Sequence, residues 1–256
     1  MNVLIVESEN DEFFVTALIN KMEQNSTVVS IDEFKHSPLD EKGKELTIQI
    51  ESILSQYSKV GIDKIGIILD LDDATKQDRI DLVNKCFRNA YNDADFEEEL
   101  PVEFAIKEVN ELTKVKIDEY SSVEIACYFV NVGKEGELET VLRAIKTVDS
   151  PFADCLYEGW KVCFEGKGKK LVGRGEKGDI SHKDLLKVWA DFYKRFDTLG
   201  RNSRNEKTTD WKGICTGETQ PDRTGRTKQV KARINDIYDL EHSLLDDLKK
   251  FLKLFK

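Results

Sequence analysis

Three aspartates, Asp70, Asp72 and Asp73, close the stretch IGIILDLDDA at residues 65–74, directly behind five apolar or small residues. Carboxylates this close repel one another and resist desolvation, so their place at the end of a buried strand calls for a cation. Asp70 and Asp72 stand two residues apart. On a strand that spacing points both side chains to one face, with Leu71 opposite. Glu7 ends a second apolar run, NVLIV at residues 2–6, and Glu137 and Glu139 open a helical pattern behind a third, CYFVNV. Oxygen donors of this kind suit Mg²⁺ or Mn²⁺, with water completing the shell. Four or five of them would serve two metals about 3.5–4 Å apart, able to clamp the attacking and leaving oxygens of a phosphodiester. Nothing in the sequence favours a Ser-His-Asp or Cys-His arrangement, and His36, His182 and His242 stand too far apart in unrelated contexts to suggest a zinc site.

The elements that must position these carboxylates alternate between strand and helix. NVLIV (2–6) and KIGIILDLD (64–72) read as buried strands, as does VEIACYFVNV (123–132), while TVVSIDEF (27–34) alternates. A helical pattern opens at Asp11, another spans 45–57, and a third starts at a capping box formed by Thr75 and Asp78. An extra strand is expected near VEFAI (102–106). Such alternation implies an α/β fold, a parallel sheet flanked by helices, whose strand carboxyl ends share one edge where ligands bind. The expected organisation is a catalytic α/β domain at 1–150 and a basic, mostly helical extension at 151–256 packed on it. Trp160 and Trp189 read as core, and Trp211, in a polar basic stretch, could stack on a base. The closing IYDLEHSLLDDLKKFLKLF reads as one amphipathic helix on the sheet domain.

Net charge is −10 and unevenly spread. Residues 1–150 carry 32 acidic and 16 basic side chains, and residues 151–256 carry 17 and 23. Either the basic half meets a polyanion or the two halves attract each other. On the first reading the phosphate contacts are Lys169, Lys170, Arg174, Arg201, Arg204 and Arg226. Five cysteines form no C-x-x-C pair, as expected of reduced core thiols in the cytoplasm. No run of 18 apolar residues suggests a membrane span, and MNVLIV lacks the basic flank of a signal peptide.

Three stretches, LIVESENDEFF (4–14), IGIILDLDDA (65–74) and GELETVL (136–142), resemble the Toprim domain shared by topoisomerases, bacterial primases and OLD (overcoming lysogenization defect) nucleases. Within that fold the chain is similar to small Toprim-like bacterial proteins related to the OLD family. The resemblance implies a metal-dependent nuclease acting on DNA or RNA, in phage defence or repair, alone, as a homo-oligomer, or with a separate ATPase or other activating protein. It makes Glu7, Asp70 and Asp72 the catalytic residues and metal ligands, and adds Asp11 and Glu139 as ligands of a second Mg²⁺ or Mn²⁺. Ser8 stands where the family usually has glycine, and Asn10 where it usually has Ser or Thr. Two other readings remain open: a Toprim-like module that binds metal or nucleic acid without cutting, and a phosphoacceptor receiver-like domain.

Overall fold

β1 (Asn2–Val6) is apolar at every position after its first, and four of its five residues are buried. Such a strand needs neighbours on both edges and cover on both faces, as in a parallel sheet flanked by helices. In the computed structural model, which describes all residues except 32–41, 73, 95, 97–98, 133–135, 167–181, 199–210 and 218–232, five strands lie in the order β2-β1-β3-β5-β4. β2 (Thr27–Ser30), β3 (Lys64–Asp70) and β5 (Ser122–Val130) run parallel to β1, and β4 (Thr113–Lys116) pairs antiparallel with the start of β5. The protein is thus mixed α/β, with a mostly parallel sheet flanked by helices and a helical C-terminal region.

The chain divides into two compact units. One comprises Met1–Gly136 with Leu245–Lys256, and the other Glu137–Leu244. In the first, alternate residues of three strands, Val3 and Ile5, Ile65, Ile67 and Leu69, Ile125, Cys127 and Phe129, form one buried cluster. Leu46, Ile50 and Leu54 of α2 (Lys42–Leu54) and Val83, Phe87 and Ala90 of α4 (Lys76–Asp93) complete it. Between them lies the single turn α3 (Tyr57–Val60). Phe14, Leu18 and Ile19 of α1 (Glu9–Lys21) are also buried. Burial pushes the Cys127 thiol up to about 12. On the opposite face of the strands, Gly66 leaves room for the ring of Phe255. A Cβ there would come within 2.7 Å of that ring and 2.6 Å of Leu4.

The second unit holds α5 (Leu138–Ala144), α6 (Pro151–Gly166), and α7 (His182–Phe192) running into a π-helical turn at Tyr193–Thr198. The short helices α8 (Trp211–Thr216) and α9 (Ile234–Ile237) follow. Its polar centre is Asp154, which accepts hydrogen bonds from Trp189 Nε1 at 2.8 Å and Ser150 Oγ at 2.5 Å, and pairs with Lys146 at 3.3 Å. Burial alone would raise this carboxyl. The hydrogen bonds from Ser150, Trp189 and Lys146 and the charge of Lys146 outweigh it and hold the pKa below the ordinary value. A carboxylate depressed in the folded state stabilises fully above its unfolded pKa of about 3.9 and loses that contribution as pH falls through the lower folded value. Asp154→Asn is therefore expected to melt below the wild type at neutral pH. The gap should close as the solution is taken below about pH 4. Thermal melts followed by tryptophan fluorescence at both pH values check this, and a gap unchanged by acid would contradict it.

Three expectations are corrected. Residues 102–106 form no strand; Phe104 N–H closes a turn on Pro101 O at 3.0 Å, and the extra strand is β4 instead. The closing amphipathic stretch is not one helix. After α9 the chain turns at Asp239, whose carbonyl accepts from His242 N–H at 3.1 Å. It resumes as a 3₁₀ turn at Ser243–Leu245 and α10 (Asp246–Lys253). Trp160 is 37% exposed, whereas Trp189 and Trp211 are buried, Trp211 beneath the Lys194 ammonium at 4.5 Å. No described helix is long and apolar enough to cross a membrane.

Candidate active site

β1 leads through α1 outward to β2, and the chain then returns to the other side of β1 as β3. The strand order therefore reverses between β1 and β3. A crevice at the carboxyl edge of a parallel sheet opens at such a reversal. Glu7 follows the last residue of β1, and Asp70 is the last residue of β3, so both carboxylates stand at that edge on adjacent strands. The Glu7 carboxylate reaches the backbone of its neighbour: Glu7 Oε2 accepts a hydrogen bond from the Asp70 N–H at 3.2 Å. Asp70 is 6% exposed and is the single buried carboxylate among the described residues. Glu7 is half-buried.

Asp72 is held differently. It adopts a left-handed backbone, φ 50°, which aspartate tolerates better than most residues. Its N–H donates to Gly136 O at 2.9 Å. The approach is so close that a Cβ on Gly136 would lie 2.7 Å from Asp72 N and 2.5 Å from Leu71 Cβ, so only glycine fits. The Asp72 carboxylate accepts from Arg79 Nη2 at 2.6 Å, while Arg79 Nε reaches Leu71 O at 3.3 Å. Arg79 is placed by α4, whose start is fixed by the Thr75–Asp78 capping box. Thr75 N–H and Oγ1 both donate to Asp78 Oδ2, at 2.9 and 2.6 Å. The hydrogen bond from the Thr75 hydroxyl holds the Asp78 carboxyl below its ordinary pKa.

Asp11 is likewise engaged. Ser8 is the N-cap of α1, and its N–H and Oγ donate to Asp11 Oδ2 at 2.8 and 2.6 Å. Ser8 thus has a local role at the start of the helix: its hydroxyl also accepts the Asp11 N–H at 3.3 Å. Glu139 lies in the first turn of α5, in the second unit. Lys169, Lys170, Arg174, Arg201, Arg204 and Arg226, with Asp73, fall outside the described residues. Arg79 was missed in the sequence, although its place seven residues after Asp72, one turn into a capped helix, was a signal for it.

Among the described residues no group of three or more His, Cys, Asp and Glu side chains is placed to hold a metal. Glu7 and Asp70, at neighbouring strand ends, are two carboxylates of the kind that would hold a single Mg²⁺ or Mn²⁺, which takes one or two protein carboxylates and fills its shell with water and phosphate oxygens. Of the other acids expected at the site, Asp11 is bound into its helix cap and Asp72 into an ion pair with Arg79.

No curated protein and no solved structure matches the chain. One family model, described as a protein of unknown function (DUF3226), matches residues 1–212, from the start of β1 into α8. With that span out of 256 residues matched, the chain belongs to the DUF3226 family.

Proposed function

We propose that the protein is a Toprim-type, divalent-metal-dependent nuclease that hydrolyses phosphodiesters of DNA or RNA. The observation that carries this reading is the placing of Glu7 and Asp70 on adjacent strand ends, joined by the Asp70 N–H to Glu7 Oε2 bond, where the strand order reverses at the carboxyl edge of the sheet. A bound Mg²⁺ or Mn²⁺ supplies positive charge to a phosphoryl oxygen and lowers the pKa of a water. Asp70, buried and fixed at the end of β3, is the anchoring ligand. Glu7, half-buried and turned towards the Asp70 amide, shares that cation or takes the proton of the attacking water. By its resemblance the chain serves as the nuclease of a phage-defence or repair system, alone or with a separate ATPase or other activating protein, and it works in the cytoplasm.

The test is cleavage of plasmid, single-stranded DNA and transfer RNA by the purified chain, with Mg²⁺, Mn²⁺ or chelator, beside Glu7→Gln. Cutting should appear only with metal and fall on the order of 10²-fold or more in the variant, the usual worth of a positioned acid–base group. Cutting that survives chelator, or that Glu7→Gln leaves unchanged, would overturn the assignment. A non-cutting metal- or nucleic-acid-binding module is the second reading, favoured by the engagement of Asp11 and Asp72. Metal binding without cleavage on any substrate would select it.

A further inference from the structure

We propose that Lys194, set against Trp211 and Tyr238 in the second unit, is a nucleophilic amine that captures aldehydes as an imine. The inference is independent of the metal site: Lys194 and every group named around it belong to Glu137–Leu244, whereas Glu7 and Asp70 belong to the first unit. Lys194 stands in the π-helical turn Tyr193–Thr198, and such turns are rare and recur at functional sites. Its ammonium lies over the ring of Trp211 at 4.5 Å, and among the described residues no hydrogen bond or ion pair reaches it. The acids that face it do not close on it. Asp191 pairs with Arg195 at 3.2 Å, and Glu139 acts through charge alone. Burial pushes the Cys215 thiol up, so it supplies no thiolate at neutral pH. Tyr238 is completely buried, packs on Trp211 at 6.0 Å, and its hydroxyl has no hydrogen-bond partner. The neighbouring Tyr193 differs, its hydroxyl donating to Ile237 O at 3.0 Å.

A buried ammonium without a counter-ion is costly, and a lysine relieves that cost by giving up its proton. Burial accordingly holds the Lys194 pKa below its ordinary value, against the negative charges of Asp191 and Glu139 that would raise it. More free amine is therefore present at neutral pH than on an exposed lysine. A desolvated lysine of this kind is the usual amine of Schiff-base chemistry. The residue as a whole is only half-buried, which leaves a small molecule an approach to it. In the capture, the Nζ lone pair bonds to the carbonyl carbon and the carbonyl π pair moves to oxygen. Both amine hydrogens then leave with that oxygen as one water, and the C=N bond remains. No oxidant or reductant is consumed. The Tyr238 O–H, uncommitted to any acceptor, is the donor that steadies the oxygen as it gains charge. The indole and phenol rings around the amine suit a flat aromatic aldehyde.

The experiment treats the whole chain with benzaldehyde and cyanoborohydride, which reduces any imine to a stable benzyl-lysine. Peptide mass spectrometry then follows the rate at each lysine from about pH 6 to about pH 9. Near neutral pH, Lys194 is expected to be labelled about tenfold faster than the exposed Lys85, and its rate to level off at a lower pH. Tyr238→Phe keeps the ring and removes a hydroxyl that has no partner, so the variant should fold as the wild type does. It should label Lys194 several-fold more slowly and leave Lys85 unchanged. Labelling of Lys194 no faster than of Lys85 overturns the capture, and so does a rate that climbs with that of Lys85 over the whole pH range. Lys194 would then be an ammonium packed on an indole and nothing more. That comparison is made within the wild type, so it decides the matter even where Tyr238→Phe does not fold. A folded Tyr238→Phe that labels Lys194 at the wild-type rate overturns the role of the phenol.

Discussion

Asp70→Asn is expected to abolish Mn²⁺ binding and to lower phosphodiester cleavage by on the order of 10²- to 10³-fold or more, the scale on which removal of one pre-organised charge-stabilising group acts. The side chain keeps its size, so the packing at the end of β3 is undisturbed. The Glu7 contact also survives, because its donor is the backbone N–H of residue 70. What disappears is the buried negative charge that a cation would meet. At about 100 times its dissociation constant a ligand stabilises the protein that binds it by about 2.7 kcal/mol, so added metal should raise the melting temperature of the wild type and not that of the variant. Parallel melts with Mn²⁺ and with chelator read the difference. A variant that still gains stability from Mn²⁺ would remove Asp70 from the site.

Phe255→Ala should have the largest effect on stability, about 3–5 kcal/mol, the range for emptying a fully buried aromatic position. Phe255 is completely buried, stacks obliquely on Phe251 with ring centroids 5.1 Å apart, and fills the space that Gly66 leaves in β3. Phe251 in turn packs on Tyr128 of β5 at 5.7 Å. The residue therefore closes one face of the central strands, and its loss leaves a void over β3. Against a total stability of about 5–15 kcal/mol, that is a large share of the whole. Urea titration followed by circular dichroism measures it. A loss below about 1 kcal/mol, the scale of an ordinary surface change, would mean that the C-terminal segment is not part of the core.

The sheet and its carboxylate edge were legible because buried parallel strands write themselves as continuous apolar runs. NVLIV and KIGIILD are such runs; Glu7 follows the first and Asp70 ends the second, acidic residues that a strand interior would not tolerate. β4 escaped notice because four residues, TKVK, bury only Val115 and leave no periodicity to read. Asp11 shows a different limit. An acid three residues after a serine is both a helix cap and, in a cluster of acids, a ligand, and only the geometry assigns its oxygen to Ser8. Arg79 was hidden for a similar reason: the sequence shows a charge on a helix, while the turn at Asp72 that brings the two together depends on Gly136, 64 positions further along. Asp154 joins Ser150, just ahead of its own helix, to Trp189 of α7, 35 positions away, and that second contact is one no local pattern encodes.

The return of residues 245–256 to the first unit has a consequence for the living chain. During synthesis β1, β3 and β5 leave the ribosome long before the rings that cover Gly66 and Tyr128 exist. Lys64 Nζ donates to Leu254 O across 190 positions, and Asn2 Nδ2 donates to Phe255 O across 253. Closing loops of this length is slow relative to local contacts, and uncovered strands are exposed to aggregation while they wait. The nascent sheet is thus committed late, its last apolar cover delivered after the whole 137–244 segment has emerged. The carboxylate edge at Glu7 and Asp70 would, by the same ordering, gain its full support only after residues 245–256 have been made.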